Sequence, residues 1–295
     1  MNIVQKRKIW FSISGIIIII GLVLGIVRGV NLGIDFTGGT LMEIELHEYI
    51  PAGEIREITD KYDKGTNISM LGIDKTIVQL RMNEDFDNEE RREIFEDFKT
   101  KYDLAEEDLL RANQFGPSVG REIQSRALIA IVISTIGMLI YIAFRFELSF
   151  AVSAIMALLH DILVVLAMYS ILQVPINNPF VAAILTILGY SINDTIVIFD
   201  RIRENLKSTG KRVDYVKVAN DSISQSLSRS INTSLTTLVT ILALYILGVE
   251  QIREFALPLI IGIVAGTYSS IFIASPLWTI VKQRQKGRKV AIKKA

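Results

Sequence analysis

Six apolar stretches, each close to the length a helix needs to cross a bilayer, constrain this 295-residue chain more than any other feature. They run Trp10–Val27, Ala127–Phe144, Leu148–Leu172, Val181–Phe199, Ile231–Val249 and Phe255–Val281. About 20 apolar residues rising 1.5 Å each cover the hydrocarbon core, and backbone in lipid must satisfy its own hydrogen bonds, so these stretches are predicted to be helices. The first follows Lys6, Arg7 and Lys8 but is long for a signal peptide and lacks a small-x-small cleavage pattern, so it is expected to be an uncleaved anchor. Without cysteine, disulfides, thiolate metal sites and thiol nucleophiles are excluded.

Charge divides the remainder. Residues 34–120 carry 10 Lys/Arg and 21 Asp/Glu, a net −11, which leaves +12 for the rest. Basic residues gather at Lys6–Lys8, Arg145, Arg201–Lys217 and Lys282–Lys294, and this bias predicts that both termini are cytoplasmic and the acidic segment extracytoplasmic. That segment alternates strand and helix patterns: strands at Thr40–Leu46, Asn67–Leu71, Thr76–Met82 and Leu109–Phe115, helices at Gly53–Tyr62 and Asn88–Tyr102. The order βαββαβ predicts a small ferredoxin-like α+β domain on a six-span helical bundle. The expected divisions are a cytoplasmic N-terminus with span one (1–31), the outer domain (32–120), spans two to four (121–200), a basic cytoplasmic loop or amphipathic helix (201–228), spans five and six (229–282) and a basic cytoplasmic tail (283–295). Val213, Val216, Val218 and Ile223 place part of the loop either on the inner headgroup surface or in an ordinary connection.

Polar groups inside the spans carry the functional reading. Asn193 and Asp194 interrupt span four, and His160 and Asp161 interrupt span three; acids in hydrocarbon mark ion or proton pathways by default. In span five Ser226, Arg229, Thr233, Thr237 and Thr240 share one helical face, which is expected to point into the bundle and bring Arg229 to a neighbouring acid. At 1.5 Å per residue Asp194 lies about 9 Å from the cytoplasmic end of its span and Asp161 about 20 Å from the same side, so Asp194 is the acid at the depth of Arg229. His160 and Asp161 read equally as relay or as helix–helix contact. Gly262, Gly266, Ser270 and Ala274 make a small-residue ridge suited to close helix packing. Gly33, Gly38 and Gly39 before the outer domain, and Gly116 and Gly120 after it, are candidate joints.

Several segments in order, Gly33-Ile-Asp-Phe-Thr-Gly-Gly39, Gly116-Pro-Ser-Val-Gly120, Leu158-Leu-His-Asp161, Gly189 to Asn205 and Ser226 to Thr237, resemble the SecF proteins of the SecD/SecF family, within the resistance-nodulation-division superfamily. The resemblance spans nearly the whole chain. It implies a six-span accessory subunit of the Sec protein-export machinery that pairs with SecD and uses the proton-motive force to promote preprotein translocation through SecYEG after SecA has acted, with YajC and YidC as further partners. It also implies that Asp194 is the proton-binding carboxylate with Arg229 as charge partner; Tyr190, Asn193, His160, Asp161, Thr233 and Thr237, polar groups within the spans, are the candidate relay or support residues beside them. Gly38 and Gly39 then lie in the joint on which the outer domain moves, with Gly33, Asp35, Phe36, Gly116, Pro117 and Gly120 as the further candidate hinge residues of the entry and exit segments. No metal or organic cofactor is expected, the driving ion being the proton or sodium.

Three other readings compete. A small-molecule exporter of the same superfamily shares the intramembrane acid but usually has two six-span halves. An intramembrane aspartyl protease needs two acids at one depth, and a passive scaffold tolerates replacement of Asp194. Nucleic-acid binding has no support, since the basic residues flank spans and no patch interleaves them with aromatics.

Overall fold

A computed structural model describes residues 2–72, 74–209 and 213–294. Lys211 and Arg212 of the expected basic loop lie outside the described residues. Span one is α1 (Arg7–Arg28), followed by the short α2 (Ile34–Thr37). The outer domain comprises β1 (Gly39–Glu45), α3 (Ala52–Thr59), β2 (Asn67–Leu71), β3 (Ile77–Met82), α4 (Asn88–Tyr102) and β4 (Leu109–Phe115). The membrane helices continue as α5 (Pro117–Arg145), α6 (Leu148–Leu172), α7 (Asn178–Ser208), α8 (Tyr215–Leu247) and α9 (Glu250–Ser269), then a π-helical turn (Ser270–Ala274) leading into α10 (Ser275–Lys294). Six helical segments among the described residues are long and apolar enough to span a membrane, the last running through α9, the π turn and α10.

The four strands form one antiparallel sheet in the order β2-β3-β1-β4, the ferredoxin-like arrangement expected from βαββαβ. Alternation puts Met42 and Ile44 of β1 and Val78, Leu80 and Met82 of β3 on the face covered by Ile55 and Ile58 of α3 and Ile94, Phe95 and Phe98 of α4. Asp87 fixes where α4 starts. Its Oδ1 accepts from the amides of Glu89 (2.8 Å) and Glu90 (2.9 Å), while Glu90 Oε2 accepts from the Asp87 amide (2.8 Å).

Within the bundle, α7 and α9 are the most buried spans together with α6, whereas α1, α5 and α8 turn most of their apolar surface outward. The small-residue ridge works as expected. A methyl at Gly262 would lie 2.3 Å from Ile187 Cδ1, and one at Gly266 would lie 2.9 Å from Ser191 Cβ, so both glycines let α9 reach the surface of α7. Pro276 accounts for the π turn: it has no amide to donate to the carbonyl four residues back, and its ring would clash there in a regular helix.

Two expectations need correction. Residues 201–228 do not form a separate element on the headgroup surface, because α7 continues to Ser208 and α8 starts at Tyr215. Val218 and Ile223 are buried with Ile3, Val4 and Trp278, so this stretch packs on protein. The stripe of span five also faces the other way. Ser226 is buried and Thr237 half-buried, but Arg229, Thr233 and Thr240 are exposed, and α8 buries Ser226, Ser230 and Ser234 instead. The threonines face outward at little cost because they bond to their own helix, as Thr233 Oγ1 does to the Arg229 carbonyl (2.9 Å) and Thr237 Oγ1 to that of Thr233 (3.0 Å).

Candidate functional site

Asp161 is fully buried and both oxygens of its carboxylate have hydrogen-bond partners. Oδ2 accepts from Ser191 Oγ on α7 (2.5 Å) and Ser269 Oγ on α9 (2.9 Å), and Oδ1 pairs with His160 Nδ1 (3.0 Å). His160 Nε2 in turn meets Ser14 Oγ on α1 (2.8 Å), and its ring stacks on Tyr268 at 6.0 Å. One carboxylate thus ties α6 to α7 and α9 directly, and to α1 through the imidazole. A fully satisfied buried network of this kind rigidifies what it joins.

Asp194 is buried differently. It lies three residues beyond Ser191 on α7, about 4.5 Å further along the helix axis. Ser230 of α8 and Ser270 of the π turn stand beside its carboxylate, yet Asp194 Oδ2 and Ser230 Oγ are both buried without a closed hydrogen bond. Ser270 Oγ instead meets Thr195 Oγ1 (2.8 Å) and reaches the Ser191 carbonyl at 3.5 Å. The two acids therefore occupy adjoining steps of one ledge, Ser191 and Ser269 at Asp161 and Ser270 at Asp194, and with Asp194 only about 4.5 Å beyond Ser191 along α7 the depth separation of about 10 Å expected from span ends is too large. Span ends misjudge depth because α7 runs eight residues past Asp200 and adjacent helices do not end in one plane.

Arg229 forms no ion pair with Asp194 among the described residues; it is exposed, and Ser230, the next residue, takes the inward position. Asn193 is likewise exposed on α7, while Tyr190 is half-buried with an unpartnered hydroxyl. With Thr186 and Gly189, Asn193 lies on an uncovered face of α7, and Arg229 and Thr233 lie on one of α8. Small and polar residues on an uncovered membrane face suit contact with protein rather than with lipid.

At the outer end, the segment before the sheet is anchored to the bundle. Gly33 N donates to the Ile176 carbonyl (2.9 Å), Asp35 Oδ2 accepts from the Asn178 amide at the start of α7 (2.8 Å), and Phe36 is buried beside Tyr169 and Phe180. Gly120 of α5 abuts the Phe36 carbonyl, and Gly116 caps α5 with Pro117 in its first turn. The left-handed torsions begin one residue after α2, at Gly38 (φ 89°) and Gly39 (φ 140°), where the chain leaves the bundle for β1. A Cβ on Gly39 would sit 2.2 Å from the Met82 carbonyl.

Sequence reasoning located both acids and missed the hydroxyls around them: Ser191 and Ser269 at Asp161, Ser230 and Ser270 at Asp194, and Ser14 at His160. Ser226, Ser230 and Ser234, four residues apart, were a readable sign of the inward face of α8; the π turn left only Pro276 as a hint.

Comparison with known proteins places this geometry. Residues 94–284 match the family described as protein export membrane protein SecD/SecF, C-terminal, and residues 23–48 match the SecD/SecF GG motif. The chain is 40% identical over 290 residues to the protein translocase subunit SecF of Calditerrivibrio nitroreducens, covering 97% of this chain and 95% of that one. It is 38% identical over 293 residues to that of Sebaldella termitidis, covering 98% and 94%. The crystal structure of SecDF, a translocon-associated membrane protein from Thermus thermophilus, superposes with a TM-score of 0.83 at 34% identity over 96% of this chain. A second structure, SecDF in its super-membrane-facing form, gives 0.74. The chain spans 39% of the first SecDF chain and 40% of the second. With both membrane acids and Gly33–Gly39 inside the matched family regions, and with relatives about 40% identical over nearly the whole chain, the chain belongs to the SecD/SecF family of protein-export membrane proteins.

Proposed function

We propose that this chain is the SecF-like half of a SecD–SecF pair in the cell membrane, with both termini cytoplasmic. In this reading it uses the proton-motive force to draw preproteins through SecYEG after SecA has acted. The observation that carries the reading is the contrast between the two acids. Asp161 has its oxygens fully engaged, whereas Asp194 has a buried oxygen with no closed hydrogen bond. Protonating that oxygen displaces no donor already bonded to it. Ser270 beside it belongs to a π turn, and single π turns in helices are frequent at functional sites.

The uncovered polar face of α7 and α8 supports a partner half. Arg229 points to where SecD would pack, so its role as charge partner is completed between the chains. One proton crossing 100 mV releases about 2.3 kcal/mol, within the roughly 1–3 kcal/mol typical of conformational coupling. Protonation at Asp194 then repacks α7 against α8 and the π turn, and the outer domain answers by moving about Gly38 and Gly39.

The test is reporter-preprotein secretion in cells depleted of the native subunit and complemented with Asp194→Asn or Arg229→Met, with membrane level and SecD co-purification checked. Loss of export with normal assembly is expected. Full export by both variants would favour a scaffold, and restoration by a sodium gradient in place of the proton gradient would change the ion. Drug efflux without an export defect would favour a half-exporter of the same superfamily.

A further inference from the structure

Glu254, on the first turns of α9, is the one acid that joins the outer sheet to the bundle among the described ion pairs. Its Oε1 accepts from the guanidinium of Arg81 on β3 and from Asn177 Nδ2 at 3.1 Å. The side chains of Arg81 and Glu254 are only 14% and 15% exposed, so the pair is largely shielded from water and from salt. Asn177 is the N-cap of α7 and 3% exposed. A single carboxylate oxygen therefore fastens a strand of the outer domain, the start of α9 and the start of α7.

The far end of α9 lies at the acid site. Glu254 and Ser270 are sixteen residues apart, about 24 Å of helix, and Ser269 and Ser270 touch the surroundings of Asp161 and Asp194. Between them is Pro258, which has no amide to close on the Glu254 carbonyl, so the helix lacks a backbone hydrogen bond directly behind Glu254. The turn bearing Glu254 can follow either the outer domain or the body of α9 when the two separate.

We propose that Glu254 is a releasable catch. Its ion pair with Arg81 holds the outer domain in the pose seen here, and export requires the pair to open so that the domain can move about Gly38–Gly39. This rests on the proton-coupled reading given above and names the contact at which that coupling reaches the outer domain.

The absence of cysteine allows a clean test. Arg81→Cys/Glu254→Cys, assembled with a cysteine-free partner in membrane vesicles, is bridged with a short bifunctional methanethiosulfonate and later released with reductant. Bridging is expected to abolish proton-driven stimulation of preprotein translocation, and reduction to restore it. Full stimulation while bridged would overturn the catch. In parallel, spin labels at the exposed positions Glu89 and Leu172 report the distance between α4 and the outer end of α6. Glu254→Gln is expected to raise the population of a second distance about tenfold, the scale of losing a charge-assisted hydrogen bond, and an unchanged distribution would overturn the proposal. Bridging without effect in vesicles where Asp194→Asn stops export refutes the catch alone. Bridging that stops export while Asp194→Asn is fully active refutes the proton reading and leaves the catch standing.

Discussion

Replacing Asp161 with alanine removes three hydrogen bonds at once and leaves Ser191 Oγ, Ser269 Oγ and His160 Nδ1 facing a cavity the size of the lost carboxylate. Interhelical hydrogen bonds in membranes average about 0.6 kcal/mol and reach about 1.7, because the unfolded helices find other partners in lipid. Three bonds to a fully buried acceptor belong toward the upper value, so Asp161→Ala is expected to cost about 2–5 kcal/mol. Asp161→Asn is the informative control. Its amide oxygen can still accept from both serines, and its NH2 can donate to His160 Nδ1 if the imidazole moves its proton to Nε2 and donates to Ser14. That exchange keeps every group satisfied, so the cost is expected to stay near about 1 kcal/mol. The assay is reversible unfolding in mixed micelles, with unfolding free energies extrapolated from the denaturant dependence. A loss below about 1 kcal/mol for Asp161→Ala, or equal losses for both variants, would refute the network as the clamp between α6, α7 and α9.

Other contacts can be checked in the same way. Gly39→Ala puts a methyl 2.2 Å from the Met82 carbonyl at a positive φ, and is expected to lower the thermal midpoint of the outer domain, while Gly53→Ala, inside α3 with open space at its Cβ, is expected to hold it or raise it through freedom removed from the unfolded chain, worth about 0.4–1 kcal/mol. Gly266→Val drives a side chain into Ser191 and is expected to cost about 1–3 kcal/mol by pushing α9 off α7, read in the micelle assay above. Burial, helped by neighbouring Asp97, pushes the Tyr62 phenol up to about 12. Because the folded value lies above the ordinary 10.0, the stability it confers is complete below pH 10 and is lost as pH rises from there through 12; the difference in phenolate absorbance between the wild type and Tyr62→Phe should rise near 12 rather than near 10.

Hydropathy and alternation made the architecture legible. The six spans were set by apolar length alone, and the sheet was readable because Met42, Ile44, Val78 and Leu80 keep a strict period of two against helices of period 3.6. Side-chain orientation in α8 was not readable from the same kind of pattern. Two stripes, one of serines and one of threonines with Arg229, run along that helix, and either could be the inward one by spacing. Serine won because Ser230 and Ser234 are small enough for close approach to the π turn and α9, while the threonines satisfy themselves. The partners of the acids were hidden for a related reason: serine is common in membrane helices and its role depends on which helix comes to face it.

The exposed position of Arg229 is best understood together with the buried position of Asp194. A lone half that buried both would hold a closed ion pair, and a proton arriving at Asp194 would have to break it. Here the hydroxyls of Ser230 and Ser270 line the carboxylate and the guanidinium stands one helical step, about 100°, away on the outer side of α8. Whether Arg229 helps or hinders proton binding is then decided by what packs against α7 and α8. A partner chain that brings its own acid to this face would draw Arg229 toward itself, and protonation of that acid would free the guanidinium to turn to Asp194. On the proposed proton-coupled reading, replacing Arg229 by methionine should weaken assembly with the partner little and abolish the dependence of export on the proton gradient, whereas replacing it by lysine, which keeps the charge but not the planar fork, should retain a fraction of that dependence.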